Sequence, residues 1–562
     1  MRKMRSAFAL AAVCLAGLVS CSTGGDVLFT SFSYSGHDAR FDRTIDPQGQ
    51  YFNPILAGFF PDPSICRRGD DYYLVNSSFS FYPGVPIFHS RDMVNWTQHG
   101  FVLNRPSQLN LDGIRMDGGV YAPSISYNPA DSLFYMVNTI VDGIGNFYVT
   151  ASDPLAGVWS DPMLLPQVQG IDPSFFFDED GRAYVVYNGE CPGEPQWEGH
   201  RAIWMYEFDY GAGCVKGEKI LLVDGGVDRS AHPVWIEGPH LLKKDGRYCL
   251  FAAEGGTNEG HSEVAFLSDR VTGPYVPAKN NPILTQRDLP EDRPDKVSCT
   301  GHADMVQTPE GDWWAVFLGC RPYEDRHYNT GRETFLLPVE WVDGAPVILP
   351  GETPVPVVVD KPGLGEPAAR PLSGNFSWTD DFSTLDDKWM QIRTPHSQWW
   401  SLDGGLRITP SEYTIQDRGV NPSFMGVRQQ HASFDAVTTL EFTAVDNALA
   451  GVAIFQKEWA NYVLGKQLID GVPSVVLYVT DSMEPQRMVA SAALDRADAR
   501  KPLELKVSGD GAAYSFHYRV KGDQAWIQLG PVQDGRILST DSAGGFTGVM
   551  IGCYATSGAV SE

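Results

Sequence analysis

Three carboxylate residues, Asp62, Asp172 and Glu237, stand at the start of similar short segments that lie far apart in the sequence. If such residues face one cavity, a pair of them can hydrolyse a glycosidic bond, because one protonates the leaving oxygen while the other activates water or attacks the sugar carbon. The protonating residue needs a raised pKa, and a neighbouring carboxylate raises it by like-charge repulsion. A third acidic residue beside the pair would therefore serve the same chemistry.

A repeated phrase explains how these residues could meet. Each copy has a polar residue at or beside its start, a small or proline-containing step, an apolar pair, a turn and an aromatic-rich strand. The five copies are DPSI from Asp62, APSI from Ala122, DPSFFF from Asp172, EGPHLL from Glu237 and HADMV from His302. Repeats of about 50 to 65 residues with several β-rich runs predict four-stranded blades rather than helical units. Five copies predict a five-bladed β-propeller, whose innermost strands converge on one axis and bring equivalent positions together.

Each acidic residue also has an ordinary structural interpretation. An Asp before Pro often caps a turn, and this alternative applies to both Asp62 and Asp172. Glu237 is harder to explain in this way, because a Glu beside Gly-Pro inside an apolar run has little structural purpose.

Changes in composition along the chain predict its domains. The proline-rich stretch over residues 350–374 cannot continue a sheet interior, so we interpret it as a linker. It separates a propeller over residues 53–349 from residues 375–562, where short runs with a period of two predict a β-sandwich. Residues 22–52 are polar and Gly-rich, and this composition predicts a tether. The whole protein is expected to be all-β.

The first 21 residues have the features of an export signal: a basic start, an apolar stretch and small residues before a cysteine. Leu18 to Cys21 resemble a bacterial lipobox, in which Cys21 becomes the lipidated first residue of the mature protein. A plain secretory signal is the alternative. Either interpretation predicts export, and the first predicts a lipid anchor in a bacterial membrane, facing the periplasm or the cell surface.

The overall charge argues against a nucleic-acid partner. The 562 residues carry a formal net charge of −26, whereas a phosphate backbone needs a basic binding surface. The cysteines beyond Cys21 show no C-x-x-C spacing, so no zinc site is indicated. A neutral or weakly charged ligand is more consistent with this composition.

Several segments resemble those of a known enzyme family. NPILAGFFPDPSI, GIDPSFFFDEDGRAY, IEGPHLLKKDGRY, GHADMVQTPEGDWW and GRETFLLPVEW are similar to hallmark segments of glycoside hydrolase family 43, which contains β-xylosidases and α-L-arabinofuranosidases. WTDDFSTLDDKWMQIRTP and GVRQQH resemble the β-sandwich domain of its β-xylosidase-like members. The resemblance implies that Asp62 is the general base, Glu237 the general acid, and Asp172 the residue that tunes the pKa of Glu237. It also implies inversion of the anomeric centre.

The same resemblance suggests sugar-binding residues. Phe79 matches an aromatic wall, Arg332 matches an arginine that hydrogen-bonds sugar hydroxyls, and Tyr121 stands where the family usually has Trp. His302 matches an axial histidine that lies next to calcium in some members and without a metal in others. Structural packing and support of a calcium ion therefore both remain open for His302, and no cofactor is otherwise required.

Together these observations predict an exo-acting, inverting glycosidase that removes a terminal pentose from plant hemicellulose oligosaccharides. α-L-Arabinofuranose and β-D-xylose can place similar hydroxyls against the same acids, so the glycone stays open. Tyr121 and the HRAIW segment at His200 slightly favour arabinofuranose. The alternative is a non-catalytic carbohydrate-binding lipoprotein, which loss of any one of the three acids would have favoured.

Overall fold

The computed structural model describes residues 27–482 and 484–558, and they fold almost entirely into β-strands. Within these residues, no helix has the length and apolar character needed to cross a bilayer. Cys21 and its lipobox lie outside the described residues, so lipidation and export stay predictions.

The predicted five-bladed β-propeller is confirmed. Each blade is an antiparallel sheet of four strands in sequence order, and blade IV has one additional short strand. Blade I holds Ser64–Arg68, Asp71–Val75, Gly84–Ser90 and Thr97–Leu103, and blade II holds Gly119–Asn128, Leu133–Val141, Gly145–Ala151 and Met163–Leu164. Blade III holds Gly170–Phe177, Ala183–Glu190, Arg201–Asp209 and Cys214–Asp224, and blade IV holds Glu237–Lys244, Arg247–Glu254, Ser262–Ser268, Val276–Pro277 and Leu284–Thr285. Blade V holds Ser298–Gln307, Trp313–Cys320, Glu333–Val342 and Ala345–Val347.

The proline-rich segment over residues 350–374 packs against the propeller. Its strand Val358–Asp360 pairs with Gln50–Phe52, which precedes blade I. Val355, Val359 and Leu364 are buried in the propeller core. The segment thus covers apolar surface of the first domain, and its role as the boundary stays a prediction.

The C-terminal domain is the predicted β-sandwich. One sheet holds Trp400–Leu402, Leu406–Ile408, Val27–Gly36, Ser433–Glu441, Leu503–Asp510, Ala513–Val520 and Ile527–Gln528, with Phe376–Asp380 and Gln533–Asp534 at its sides. The other holds Arg487–Ala493, Val472–Thr480, Ala460–Ile469, Leu449–Lys457, Met550–Thr556, Phe424–Arg428, Met390–Ile392 and Phe81–Tyr82. Short helical turns occur at Ala39–Phe41, Arg229–Ala231, Asp498–Arg500, Gly535–Leu538 and Thr540–Ala543.

The prediction of a tether over residues 22–52 is wrong for the part that the structure describes. Val27–Gly36 is an inner strand of the sandwich, paired with Leu406–Ile408 and with Ser433–Glu441. Phe29 and Tyr34 are fully buried in the core between the two sheets. The sequence signal is weak because a register shift after Phe29 interrupts the alternation of apolar and polar residues.

The two domains are joined by a shared sheet. Phe81–Tyr82, which belongs to blade I in sequence, pairs with Met390–Ile392 of the sandwich. Next to this seam, Nη2 of Arg393 and Oε1 of Glu458 form a buried ion pair at 2.6 Å. The sandwich is therefore fixed on the propeller, and one of its loops reaches the propeller axis.

Candidate active site

The innermost strands of blades II to V share a local irregularity at the same height. The register with the neighbouring strand shifts after Tyr121, Ile171, Glu237 and Gly301. A bulge of this kind re-aims side chains at the end of a strand. We therefore expect the side chains at these irregular positions to point towards the propeller axis.

Left-handed backbone conformations accompany the bulges. Asp62, Asp172 and His302 have φ values of 48°, 54° and 53°, which non-glycine residues rarely adopt. The position equivalent to Asp172 in blade IV is Gly238, so Glu237 stands one residue ahead of the other two acids in the repeat. Strained conformations that the surrounding fold maintains are typical of functional sites.

Gly238 is required at its position for two reasons. Its φ is +56°, and a Cβ atom there would lie 2.9 Å from Cε1 of His302. The absence of a side chain allows the His302 ring to pack directly on the backbone beside Glu237. The sequence places Glu237 next to the one residue type that permits this close approach.

All seven predicted site residues in the described part of the chain line one cavity of about 510 Å³. The acidic residues and Phe79 form its deep part, since each of them is at least 90% buried. The complete lining is Asp62, Phe79, Arg115, Tyr121, Ala122, Ile171, Asp172, Val234, Trp235, Glu237, Gly256, Thr257, Asn258, His302, Arg332 and Phe546. The structure thus brings together side chains from all five blades and from the sandwich.

The electrostatics of the cavity favour a protonated Glu237. Burial raises its pKa well above the usual value, and the nearby Asp172 and Asp62 raise the pKa further, while Arg332 and a hydrogen bond from the Trp235 side chain oppose the change. Burial and the charge of Asp62 also raise the pKa of Asp172 to about 7. A carboxyl group that keeps its proton near neutral pH can act as a general acid.

Asp62 is held in place by a hydroxyl group. Oγ of Ser77 donates a hydrogen bond of 2.6 Å to Oδ2 of Asp62. Its other oxygen, Oδ1, lies 3.9 Å from Nδ1 of His302. Burial lowers the pKa of His302, so this ring is neutral at pH 7. The arrangement orients the Asp62 carboxyl group without a strong cationic partner at hydrogen-bonding distance.

Arg332 is anchored at the side of the cavity. Its Nη2 donates a hydrogen bond of 3.1 Å to the carbonyl oxygen of Thr257, and its guanidinium carbon lies 5.0 Å from the ring centroid of Phe546. These contacts fix the plane of a group whose N–H donors match vicinal hydroxyls.

The sequence analysis missed Phe546, which the sandwich contributes to the cavity. The Phe546 ring stacks on Phe79 with centroids 5.9 Å apart. Asp117 holds this loop, because its Oδ1 accepts the Phe546 N–H at 3.2 Å and its Oδ2 pairs with Nζ of Lys457 at 2.5 Å. The hydroxyl of Tyr121 donates to the carbonyl oxygen of Asp117 at 2.7 Å. The Tyr121 hydroxyl is therefore engaged by Asp117, the propeller residue that contacts the sandwich.

His200 does not line the cavity. Its ring is buried, stacks on Trp197 at a centroid distance of 3.8 Å, and places Nε2 2.8 Å from Oδ1 of Asp224. The HRAIW segment therefore gives no support for arabinofuranose over xylose, and that part of the sequence-based interpretation is withdrawn.

A calcium ion near His302 would need oxygen ligands, because Ca²⁺ takes about six to eight of them. The nearby Asp304 uses its oxygens to accept hydrogen bonds from Oγ of Ser64 and from two backbone N–H groups. In residues 27–482 and 484–558, no group of three or more His, Cys, Asp or Glu side chains is arranged to hold a metal ion. The packing of the His302 ring against Gly238 accounts for its position, and support of a calcium ion near His302 stays a prediction.

The tuning role of Asp172 gives a testable expectation. Asp172→Asn removes a negative charge beside Glu237, so the pKa of Glu237 should fall and its proton should be lost at a lower pH. The basic limb of the kcat/KM profile should therefore move to lower pH, as measured by initial rates across the pH range. An unmoved basic limb would show that Asp172 does not tune Glu237.

Three carboxyl groups that converge in one cavity on a propeller axis supply the acid and base that an enzyme hydrolysing glycosidic bonds needs. Comparison with known proteins identifies its family. Residues 51–346 match the model of glycosyl hydrolases family 43, and residues 379–562 match the β-xylosidase C-terminal concanavalin A-like domain. The chain belongs to glycosyl hydrolases family 43 and is a glycosidase.

Three similar proteins illustrate this relationship. The chain is 37% identical to a xylosidase/arabinosidase of Butyrivibrio fibrisolvens, with 90% of this chain and 95% of that protein covered. It is 34% identical to a non-reducing end α-L-arabinofuranosidase of Bacteroides ovatus, over 91% and 92% of the two chains. A GH43_12 crystal structure from a capybara gut metagenome has 40% identity and a TM-score of 0.88, covering 94% of this chain and 99% of that one.

Proposed function

We propose that this glycosidase is exo-acting and inverting, and that it releases one terminal pentose, α-L-arabinofuranose or β-D-xylose, from plant hemicellulose oligosaccharides. The observation that carries the proposal is the convergence of Asp62, Asp172 and Glu237 in one cavity that Phe546 closes on the sandwich side. A cavity closed in this way favours chain ends and side branches over internal linkages. The names of the similar proteins, which include both arabinosidases and xylosidases, support a pentose glycone.

The reaction is a single displacement. Glu237 gives its proton to the glycosidic oxygen, and the electron pair of the breaking bond stays on that oxygen. A water molecule attacks the anomeric carbon from the opposite face, and Asp62 takes the proton that the water loses. Inverting enzymes of this kind place base and acid about 6.5 to 9.5 Å apart, which leaves room for the water. Exchange of protons with solvent restores Glu237 and Asp62 for the next turnover.

Arg332 and Asp172 support this displacement without exchanging protons with the substrate. The anchored guanidinium group of Arg332 can donate to sugar hydroxyls and orient the ring over Asp62. Asp172 keeps Glu237 protonated through its proximity. One of its oxygens, Oδ2, accepts the Gly238 N–H at 3.2 Å, and this bond fixes Asp172 beside the general acid.

The proposal is tested with nitrophenyl α-L-arabinofuranoside, nitrophenyl β-D-xyloside and arabinoxylan oligosaccharides. We expect release of a single pentose, and proton NMR of the first product should show the anomer opposite to that of the substrate. Retained configuration would contradict the single displacement, and internal fragments would contradict exo-action. If no substrate releases sugar, the carbohydrate-binding alternative would replace the proposal.

A further inference from the structure

Trp235 lines the cavity beside the general acid, yet the displacement gives it no part. It lies two residues before Glu237, its side chain hydrogen-bonds the Glu237 carboxyl group, and its φ is 56°. The residue is half-buried, whereas Glu237 and Phe79 are 6% and 2% exposed. Trp235 therefore lies nearer the mouth of the cavity than the acids do.

The indole ring is held in a fixed orientation. The guanidinium carbon of Arg201 lies 4.8 Å from the ring centroid, and Asn188 accepts hydrogen bonds from Nη2 and Nε of Arg201 at 3.0 and 3.2 Å. The backbone N–H of Trp235 donates to the carbonyl oxygen of Gly199 at 2.8 Å. Trp235 belongs to the cavity wall and Arg201 does not. Arg201 thus occupies one face of the Trp235 ring.

The cavity is larger than one pentose. Its volume of about 510 Å³ lies within the range of about 300 to 1,000 Å³ of pockets that hold drug-sized ligands, whereas a pentose has ten non-hydrogen atoms. The glycone must lie in the deep part, because Asp62, Asp172 and Glu237 are there. Since Glu237 protonates the glycosidic oxygen, the sugar beyond that oxygen lies on the side of Glu237 towards the mouth, where Trp235 stands.

We propose that Trp235 is the platform of a second subsite, where the ring face opposite Arg201 stacks on the apolar face of the sugar unit on the leaving-group side. The inference rests on the proposed function, because it assigns the leaving group to a sugar ring. It also narrows the proposed substrates to oligosaccharides in which the released pentose is attached to another sugar. Aromatic rings held in this way bind the C–H face of a sugar at low entropic cost.

The test compares the affinities of two ligands in the same variant. Dissociation constants for the free pentose and for an arabinoxylan oligosaccharide are measured by calorimetry in a Glu237→Gln background, in which turnover should be about 10² to 10⁴-fold slower. Trp235→Ala should weaken oligosaccharide binding about 10-fold, as for the loss of one stacked aromatic contact, and should leave pentose binding within about twofold. Trp235→Phe, which keeps an aromatic face, should retain most of the oligosaccharide affinity.

Trp526 provides a matched control. Arg519 covers its ring at 4.3 Å, as Arg201 covers Trp235, but Trp526 lies on the sandwich and outside the cavity. Trp526→Ala should change neither affinity. If Trp235→Ala does not fold, Trp235→Leu gives the same comparison with a bulkier side chain.

Two outcomes would overturn the subsite. Equal losses for pentose and oligosaccharide would make Trp235 a wall of the glycone site, and unchanged affinities would mean that it binds no sugar. Failure of the proposed function is recognised separately, because the wild-type enzyme would then release no pentose from any substrate.

Discussion

Replacing Glu237 by Gln should lower kcat on oligosaccharides by about 10² to 10⁴-fold, the usual contribution of a general acid. Gln has nearly the same shape, so the cavity should be preserved, but its amide cannot give a proton to the glycosidic oxygen. The carboxyl group it replaces is buried and holds its proton at an unusually high pH. Initial rates on arabinoxylan oligosaccharides measure the effect.

The leaving group provides a sharper test of Glu237. A nitrophenolate leaves with little help from protonation, so the loss in Glu237→Gln should be much smaller on nitrophenyl pentosides than on oligosaccharides. Equal losses on both substrates would contradict the role of general acid and would point to a role in binding or in structure.

Replacing Asp62 by Asn should also lower kcat by about 10² to 10⁴-fold, but by a similar factor for good and poor leaving groups. The physical reason is that the attacking water must lose its proton to Asp62 whichever group departs. The Ser77 hydroxyl can still donate to the amide oxygen of Asn, so the side chain should keep its position. Steady-state rates on the same two substrates measure the effect.

Asp343→Asn is a matched control for this substitution. Asp343 also has a left-handed backbone conformation, with φ 53°, but it lies in an exposed turn outside the cavity. Asn tolerates that conformation well, so neither variant should be strained. Full activity in Asp62→Asn would remove the general base from the proposal, whereas a loss in Asp343→Asn would indicate a general effect on folding.

The different leaving-group dependence of the two variants separates their roles. In the proposed displacement Glu237 acts on the departing oxygen and Asp62 on the incoming water, so only the effect of Glu237→Gln should depend on the basicity of the leaving group. Asp172 should affect neither step directly and should act through the pKa of Glu237. These three patterns together identify acid, base and tuning residue in a way that loss of activity alone cannot.

The repeat shows which features of the fold short segments of sequence can predict. Each copy contains its own strands and turns, so the five blades could be recognised without knowledge of their contacts. Because equivalent positions of a propeller face one axis, Asp62 and Asp172 could be placed in one site. The same repeat placed Glu237 there with an alignment that was wrong by one residue, because the structure shows that Gly238 occupies the equivalent position in blade IV.

The strand Val27–Gly36 shows where local sequence fails. Its partner strand Ser433–Glu441 belongs to the far end of the chain, and its own alternation is interrupted. The segment therefore forms a strand because its apolar side chains complete the core between the two sheets. From composition alone, the same residues were predicted to be part of a polar tether without regular structure.

The amino-acid sequence by itself determined the all-β class, the number of blades and the identity of the three acids, because these depend on short-range periodicity and on a recurring motif. Only the tertiary structure decided that Phe546 and Trp235 form walls of the cavity, that His200 lies outside it, and that burial beside Asp172 and Asp62 raises the pKa of Glu237 well above its usual value. The reason is physical: burial, charge proximity and contacts between domains arise from residues that are distant in the chain, and no local pattern records them.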